Sequence, residues 1–580
     1  MEMKNNYIDL KPKTFRELLK FSVKSYVNSL VWIGLSSGQK YTYTQAYDTI
    51  QRLKNALFNK LGLKKGDKVA LWSENMPNWG IVFFSVVSSG LVLVPLLPDF
   101  SAYEIENILS HSESKVLFIS KRLLSKLKEV KNTMEHVILI EDFKLLSDLQ
   151  SLDVSKNEDF ISKKVIEKEP EIKENDLAVI IYTSGTTGKS KGVMHTHLSL
   201  ITNVLDVQYV QWIEKGEKFL SILPLSHSYE NTIGFLAPFI YGAMVYYIEK
   251  PPTSSILLPA LKKVRPSFML SVPLIIEKIF RKSILPSIQA KKITATIYKT
   301  RLGKKILHFI AGKKLKKLFG GNLKFFGIGG AKLDPEVERF MRDAKFPYAV
   351  GYGLTETAPL LAGSNPKIQR FQSTGPAVRS VSLKIIEPDP NTGEGELIAK
   401  GPNVMIGYYK EPELTKQVFT EDGWFRTGDL VVFDKDGHLY IKGRSKNMIL
   451  GPSGENIYPE EIEAIINSYD LVNESLVIKK ENKLVALVHI DFEELEKKAT
   501  EWFNIQKHKL SNFSQQQKEK LKASSDAINE YLKNIETQLK RYVNERVNKA
   551  SRIQKIEFRK EPFVKTATKK IKRYLYIKNK

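Results

Sequence analysis

The stretch "LAVIIYTSGTTGKSKG", residues 177–192, decides how this chain is read. Its first six residues are an unbroken apolar run of strand type. The rest is glycine, hydroxyl and lysine, the composition of a loop that can wrap an anion. Glycine lets the backbone approach closely, Thr183, Ser184, Thr186 and Thr187 offer hydroxyls, and Lys189 and Lys191 add positive charge. The P-loop of nucleotide hydrolases is excluded on spacing, because it needs two glycines separated by four residues before Lys and Ser or Thr. Here only Thr186 and Thr187 separate Gly185 from Gly188, and Thr183 stands where the first glycine would have to be. A phosphate cradle of another kind and a plain flexible connection both survive that exclusion.

Further apolar runs, "KVALWS", "LVLVPL", "KVLFIS", "HVILIE", "MVYYIE" and "LKFFGIGG", alternate with amphipathic segments before residue 380. Strands alternating with helices imply parallel sheets with crossover helices. The expected fold class is therefore α/β, with a large N-terminal domain of layered α/β subdomains. Between residues 380 and 440 the texture changes to short strands and tight turns, "PNTGEGEL", "EDGW" and "DKDGH", which predicts a small β-rich subdomain. Leu521, Ile528, Tyr531, Leu532, Ile535, Leu539, Tyr542, Val543 and Val547 recur at helical intervals and predict a long amphipathic helix or helix pair. A polar, lysine-rich stretch at residues 151–175 reads as a surface linker.

At 580 residues the chain is too long for one core, and about 150 residues per domain suggests two to four units. A hydrophobic fraction of 42% makes it globular. Lys plus Arg number 89 against 64 Asp plus Glu, a formal charge of +25 that attracts polyanions and acidic lipid. The lysines are spread along the chain and thicken after Lys497, which reads as a solvated basic surface. A nucleic-acid face needs basic residues interleaved with aromatics, and that grouping is not seen, so no nucleic-acid partner is expected. With no cysteine, disulfides, thiolate metal sites and a cysteine nucleophile are excluded together. The N-terminus lacks the apolar core of a secretory signal, and a cytoplasmic protein is expected. Residues 75–98 carry no charge, yet Gly90 and Pro95 divide them into a helix-like half and a strand-like half, which suits a buried helix feeding a buried strand better than a membrane span.

Four more segments follow the glycine loop in order: "LPLSHSYENTIGF" around His227, "GYGLTETAP" around Glu356, "GWFRTGDL" around Asp429, and "GRSKNMILGPSGENIYPEEIE" from Gly443. With a C-terminal "TATKKIKR", this ordered set resembles the adenylate-forming superfamily: acyl-CoA synthetases, amino-acid adenylation domains and luciferases. The resemblance runs from near Phe15 to the end. It implies an N-terminal adenylation domain over residues 1–442 and a mobile α+β C-terminal domain over 443–580, with a helical insert near 492–550. It also implies ATP and Mg²⁺, with CoA as co-substrate.

The resemblance assigns roles residue by residue. Thr183, Ser184, Gly185, Thr186, Thr187, Gly188 and Lys189 would hold the β- and γ-phosphates. Glu356 and Thr183 would bind Mg²⁺, a hard ion suited to oxygen ligands. Thr355 would contact phosphate, and His227 falls among the catalytic residues. Gly329, Gly330, Ala331, Gly351, Tyr352 and Gly353 match the adenine pocket. Asp429 matches the ribose ligand, with Arg444 its neighbour at ribose and phosphate. Lys446 falls at the hinge, and Gly454 on the face that meets a thiol-entry channel. Lys570 matches the lysine that bridges carboxylate and phosphate, although adjacent Lys569 leaves the register open by one.

The segment around His227 is aromatic, aliphatic and uncharged apart from Glu230, which favours an apolar acyl chain over an amino acid. "GGAKLDPEVERF" followed by "GYGLTETAP" is similar to the long-chain fatty acyl-CoA synthetase branch. The expected partners are a fatty acid, ATP and CoA. A carrier protein stays open as the alternative acceptor, and an aryl or medium-chain acid as the alternative substrate. The charge also leaves open a peripheral contact with anionic membrane at its inner face, and nothing in the sequence speaks to oligomeric state.

Overall fold

The computed structural model describes residues 7–130, 134–148, 153–154, 160–161, 169–184, 190–450, 456–469, 471–481, 483–499, 524–566 and 570–577. The chain divides into two compact units. The first comprises Met1–Ile386, Leu397–Thr427 and Phe433–Tyr440; the second comprises Glu387–Glu396, Gly428–Val432 and Ile441–Lys580.

The first unit is layered α/β. One seven-stranded sheet runs in the order Gly407–Tyr408, Ser190–Thr196, Leu177–Ser184, Val92–Leu96, Lys68–Trp72, Ser114–Ile119, His136–Leu139. From Leu177–Ser184 onward its neighbours pair in parallel. Strands of that kind are covered on both faces, so their sequences read as continuous apolar runs rather than alternating ones. An eight-stranded sheet has the order Leu360–Gly363, Tyr348–Gly353, Phe325–Ile328, Phe268–Ser271, Lys218–Ser221, Met244–Tyr247, Leu30–Gly34, Lys40–Thr42. Its six inner strands are parallel and its two edge strands antiparallel.

The charge-free residues 75–98 form the helix Pro77–Val87, buried along its whole length, and then the buried strand Val92–Leu96. Gly90 turns the chain between them at φ +81°. Gly80 lies against the indole of Trp32, where a Cβ would stand 2.7 Å from a ring carbon, so the helix seats on the strand Leu30–Gly34 only because that position lacks a side chain. No helix among the described residues is long and apolar enough to cross a membrane.

Part of the segment at 151–175 does more than link. Glu169 pairs with the fully buried Lys54 and with Arg16 at 3.0 Å. Burial pushes the Lys54 amine below its ordinary range, and a buried cation needs such a partner to stay charged.

The segment between residues 380 and 440 carries the strands Ser382–Ile386, Gly395–Lys400 and Phe425–Phe433, and Leu439–Arg444 begins at its end. Gly393, Gly423 and Gly437 take φ of +71°, +80° and +77° at the three turn sequences.

The second unit contains a three-stranded sheet, Val472–Lys480, Lys483–Ile490 and Lys555–Arg559, antiparallel and then parallel. The helices Pro459–Ile466 and Ser524–Asn544 pack with it. Ile535, Leu539 and Val543 of the long helix enter the core at four-residue spacing. The predicted stripe is thus one helix from Ile528 to Val543, Val547 lies just beyond the helix end at Asn544, and Leu521 lies outside the described residues.

Candidate active site

The strand Leu177–Ser184 turns back into the antiparallel strand Ser190–Thr196, with Lys191 opposite Thr183 and Ser190 opposite Ser184. A P-loop runs from strand into helix and uses the helix N-terminus. Here the strand is followed by an antiparallel strand instead of a helix, so no helix N-terminus faces an anion at this position. Gly185, Thr186, Thr187, Gly188 and Lys189 lie outside the described residues, as does Gly454.

Beside the hairpin, the edge strand Gly407–Tyr408 pairs with Val193 and Met194. The Lys191 Nζ stands 5.3 Å over the Tyr408 ring, and the Tyr408 hydroxyl donates to Glu356 Oε1 at 3.0 Å. Glu356 sits in the short turn Thr355–Thr357, directly after the strand Tyr348–Gly353. Two long-range bonds pin that turn. The Met405 amide donates to the Glu356 carbonyl at 2.8 Å, and His195 Nε2 meets the Thr355 carbonyl at 2.7 Å. Burial lowers the His195 pKa to about 4, so the ring is neutral and its one N–H must be on Nε2 to serve a carbonyl. Sequence reasoning found neither Tyr408 nor His195, since both act through partners far along the chain.

The parallel strands Phe325–Ile328 and Tyr348–Gly353 end side by side, Ile328 opposite Val350. Their carboxyl ends bring Gly329, Gly330 and Ala331 next to Gly351, Tyr352 and Gly353, and ligands of open α/β sheets bind at such ends. Gly353 has no room for a side chain, since a Cβ would lie 1.7 Å from the Pro359 carbonyl oxygen. His227 follows the strand Lys218–Ser221 at the same edge. Its Nδ1 accepts from the Tyr229 amide at 3.3 Å, and the Tyr229 ring lies over Gly327 and Gly329.

Behind this edge the first unit holds a small apolar cavity of about 40 Å³, lined by Val207, Val210, Ile233, Phe268, Leu270 and Gly351 among others. Glu230, the one charge in its segment, is fully buried, and its Oε2 has no hydrogen-bond partner among the described residues. Burial pushes its carboxyl from 4.5 up to about 8, against a hydrogen bond from Ser221 that lowers it. The sign follows directly. Stability from this group is complete below pH 4.5 and is lost as pH rises through 8, because the folded protein keeps a proton that the unfolded chain releases. Glu230→Gln is expected to remove that slope, about 1.4 kcal/mol per pH unit inside the window. Thermal unfolding from acid to mildly alkaline pH checks it: the variant should gain on the parent as pH rises, and parallel curves would refute the assignment.

In the second unit, Arg444 Nε meets the buried Asp429 carboxylate at 2.7 Å. Gly428 reaches its φ of +69° in "RTGD", and the nearest atom to a Cβ there would be an Arg444 guanidinium nitrogen at 3.8 Å. Two residues on, Lys446 is exposed within the short turn Ser445–Asn447. Lys570 is exposed at a tight reversal. Its amide donates to Thr566 Oγ1 at 3.1 Å and its carbonyl accepts from the Thr566 amide at 2.8 Å. Arg573, in the short turn Arg573–Leu575, anchors the returning chain on the buried Glu463. Lys569 lies outside the described residues.

Residues 22–409 match the family described as AMP-binding enzyme. The long-chain-fatty-acid–CoA ligase of Salmonella typhimurium is 29% identical over 491 residues, covering 79% of this chain and 81% of that protein. The Drosophila melanogaster long-chain-fatty-acid–CoA ligase heimdall is 28% identical over 496 residues, 78% of this chain and 72% of that one. Among solved structures, the o-succinylbenzoate CoA synthetase of Bacillus subtilis with its acyl-adenylate superposes with a TM-score of 0.72 over 99% of each chain at 20% identity. A fatty acyl CoA synthetase of Mycobacterium tuberculosis gives 0.62 over 98% of each at 22%. These structures share the fold, and the family match takes in more than half of the sequence: the chain belongs to the AMP-binding enzymes.

Proposed function

We propose that this enzyme is an AMP-forming long-chain fatty acid:CoA ligase, activating a fatty acid with ATP and passing the acyl group to CoA. The observation that carries the acyl class is the apolar lining behind the glycine-rich strand ends, formed by Val207, Val210, Ile233, Phe268 and Leu270. A site that selects an acid by apolar burial needs walls of that kind and few polar groups. The names of the sequence relatives support the same reading. We place the reaction in the cytoplasm, on the sequence reading alone.

In the first half-reaction a carboxylate oxygen attacks the α-phosphorus and pyrophosphate leaves. Two anions must meet, so the residues that matter hold charge in place before the reaction begins. The hairpin loop and Thr355 hold phosphate oxygens, and the glycines at the strand ends admit the adenine beside Tyr352. Asp429 accepts from the ribose hydroxyls, with Arg444 fixing its carboxylate, and Lys570 bridges the two reacting anions. Magnesium, when bound, offsets phosphate charge. Glu356 and Thr183 would supply it hard oxygen, the ligand type that this ion takes. In the second half-reaction the CoA thiol attacks the acyl carbonyl and AMP leaves. Here Lys446 serves as hinge for residues 443–580, with Gly454 on the thiol side and His227 near the acyl group.

Incubation with ATP, Mg²⁺ and palmitate, with and without CoA, tests the proposal: pyrophosphate and palmitoyl-CoA are expected. An adenylate that acylates a carrier protein but not CoA would overturn the acceptor, and preferred turnover of aryl or medium-chain acids would overturn the substrate class. Ile233→Trp, which fills the cavity, is expected to lower kcat/KM for palmitate on the order of tenfold or more, the scale of a lost apolar contact in a pocket, while sparing octanoate. Equal losses for both acids would place the acyl chain elsewhere.

A further inference from the structure

From Lys278 to Leu333 the chain carries fifteen Lys and Arg and no Asp or Glu, so this tenth of the sequence supplies more than half of the net charge of +25. An average over the whole chain hides it. The stretch includes the helices Lys292–Ile297 and Arg301–Leu318. The shorter helix buries none of its residues, and Ile293 and Ile297, four apart, are exposed, Ile293 to 76%.

The longer helix buries Gly303, His308, Gly312 and Leu315. Leu302, Ile306, Phe309 and Ile310, at spacings of four, three and one, form a separate exposed stripe, with Leu302 at 70% and Ile306 at 50%. Residues so spaced share one helix face. Lysine flanks them: Lys313 Nζ lies 4.8 Å over the Phe309 ring, and Lys305, Lys314 and Lys317 are exposed along the same helix. Exposed aliphatic side chains inside a cationic field are the pattern of a helix lying in a bilayer interface, apolar groups reaching the acyl boundary and amines meeting headgroup phosphates.

We propose that residues 291–318 form a docking surface for anionic lipid bilayers. Charge complementarity selects the anionic surface, and the aliphatic stripe selects a bilayer over nucleic acid, whose phosphates need the lysines but have no use for exposed Leu302, Ile293 and Ile306. This inference does not rest on the substrate reading, and it supplies that reading with a site for meeting poorly soluble acids.

Co-sedimentation with phosphatidylcholine vesicles, with and without phosphatidylglycerol, tests it. The parent protein is expected to bind the phosphatidylglycerol vesicles and to weaken as salt rises, since charges are screened over about 10 Å at 0.1 M. The charge-reversed K305E/K314E/K317E should lose affinity on the order of a hundredfold, each lysine near the surface counting severalfold. The apolar-stripe variant I293S/L302S/I306S should lose at least about tenfold with all charges kept. Unfolding temperatures of both variants, with pyrophosphate release from soluble octanoate, show that they fold. Equal vesicle binding by parent and both variants overturns the proposal. So does loss confined to the charge variant together with tight binding of duplex DNA, which would mark a polyanion site without membrane insertion.

Discussion

Lys570→Ala is expected to lower acyl-adenylate formation by a factor on the order of 10² to 10³, the cost of removing one preorganised charge-stabilising donor. It is expected to convert supplied acyl-adenylate and CoA to thioester at close to the parent rate. The asymmetry follows from charge. A carboxylate and an α-phosphate repel each other only until the anhydride forms, and afterwards no pair of anions needs bridging. The backbone around Lys570 is held without its side chain, through Thr566, the Lys572 amide on the Val564 carbonyl at 2.9 Å, and Arg573 on Glu463, so truncation leaves the reversal in place. Lys446→Pro should show the opposite pattern if that residue is the proposed hinge, since a fixed φ there would restrict the rotation that the two-stage account requires. Both half-reactions are measured separately for both variants. Equal loss in both steps for Lys570→Ala would overturn the two-stage account, and a selective loss in Lys569→Ala instead would shift the catalytic position by one.

What could be read in the sequence follows from where physical signals are local. Strands such as Lys68–Trp72 and Ser114–Ile119 stood out because burial on both faces makes the whole run apolar. Lys218–Ser221 and Phe268–Ser271 sit in the middle of their sheet yet did not stand out, because Ser221 and Ser271 cut their apolar runs to two and three residues. The turns at Gly393, Gly423 and Gly437 were legible because only glycine takes such φ without strain. At the site, Asp429 and Arg444 were paired by motif and stand in contact. Tyr408 and His195 were not legible: one supports Glu356 from 52 residues away, the other its neighbour from 160. No window of sequence contains those contacts. The basic stretch at 278–333 was missed for a different reason, because dense base and missing acid coincide there and a whole-chain charge averages both away.

Glu356→Ala is expected to reduce Mg²⁺-dependent adenylation by at least about 10² to 10³ while leaving the fold intact. The local backbone does not need the carboxylate. The turn Thr355–Thr357 is held by the Met405 amide on the residue-356 carbonyl and by His195 on the Thr355 carbonyl, and both bonds survive truncation to alanine. The lost group is a hard anionic oxygen whose other duty is to accept the Tyr408 hydroxyl at 3.0 Å. That contact separates two roles. If Glu356 were only a structural acceptor for Tyr408, Glu356→Gln would keep the bond and the activity, and Tyr408→Phe would hurt as much as Glu356→Ala. If Glu356 binds the metal, Glu356→Gln loses nearly as much as alanine. Tyr408→Phe then raises the half-saturating Mg²⁺ concentration by about 10- to 100-fold, the scale of a lost supporting bond to a metal ligand, with little change in kcat at saturating metal. Pyrophosphate release across a Mg²⁺ titration, alongside thermal unfolding of each variant, distinguishes the outcomes, and full activity in Glu356→Gln would remove this residue from the metal site.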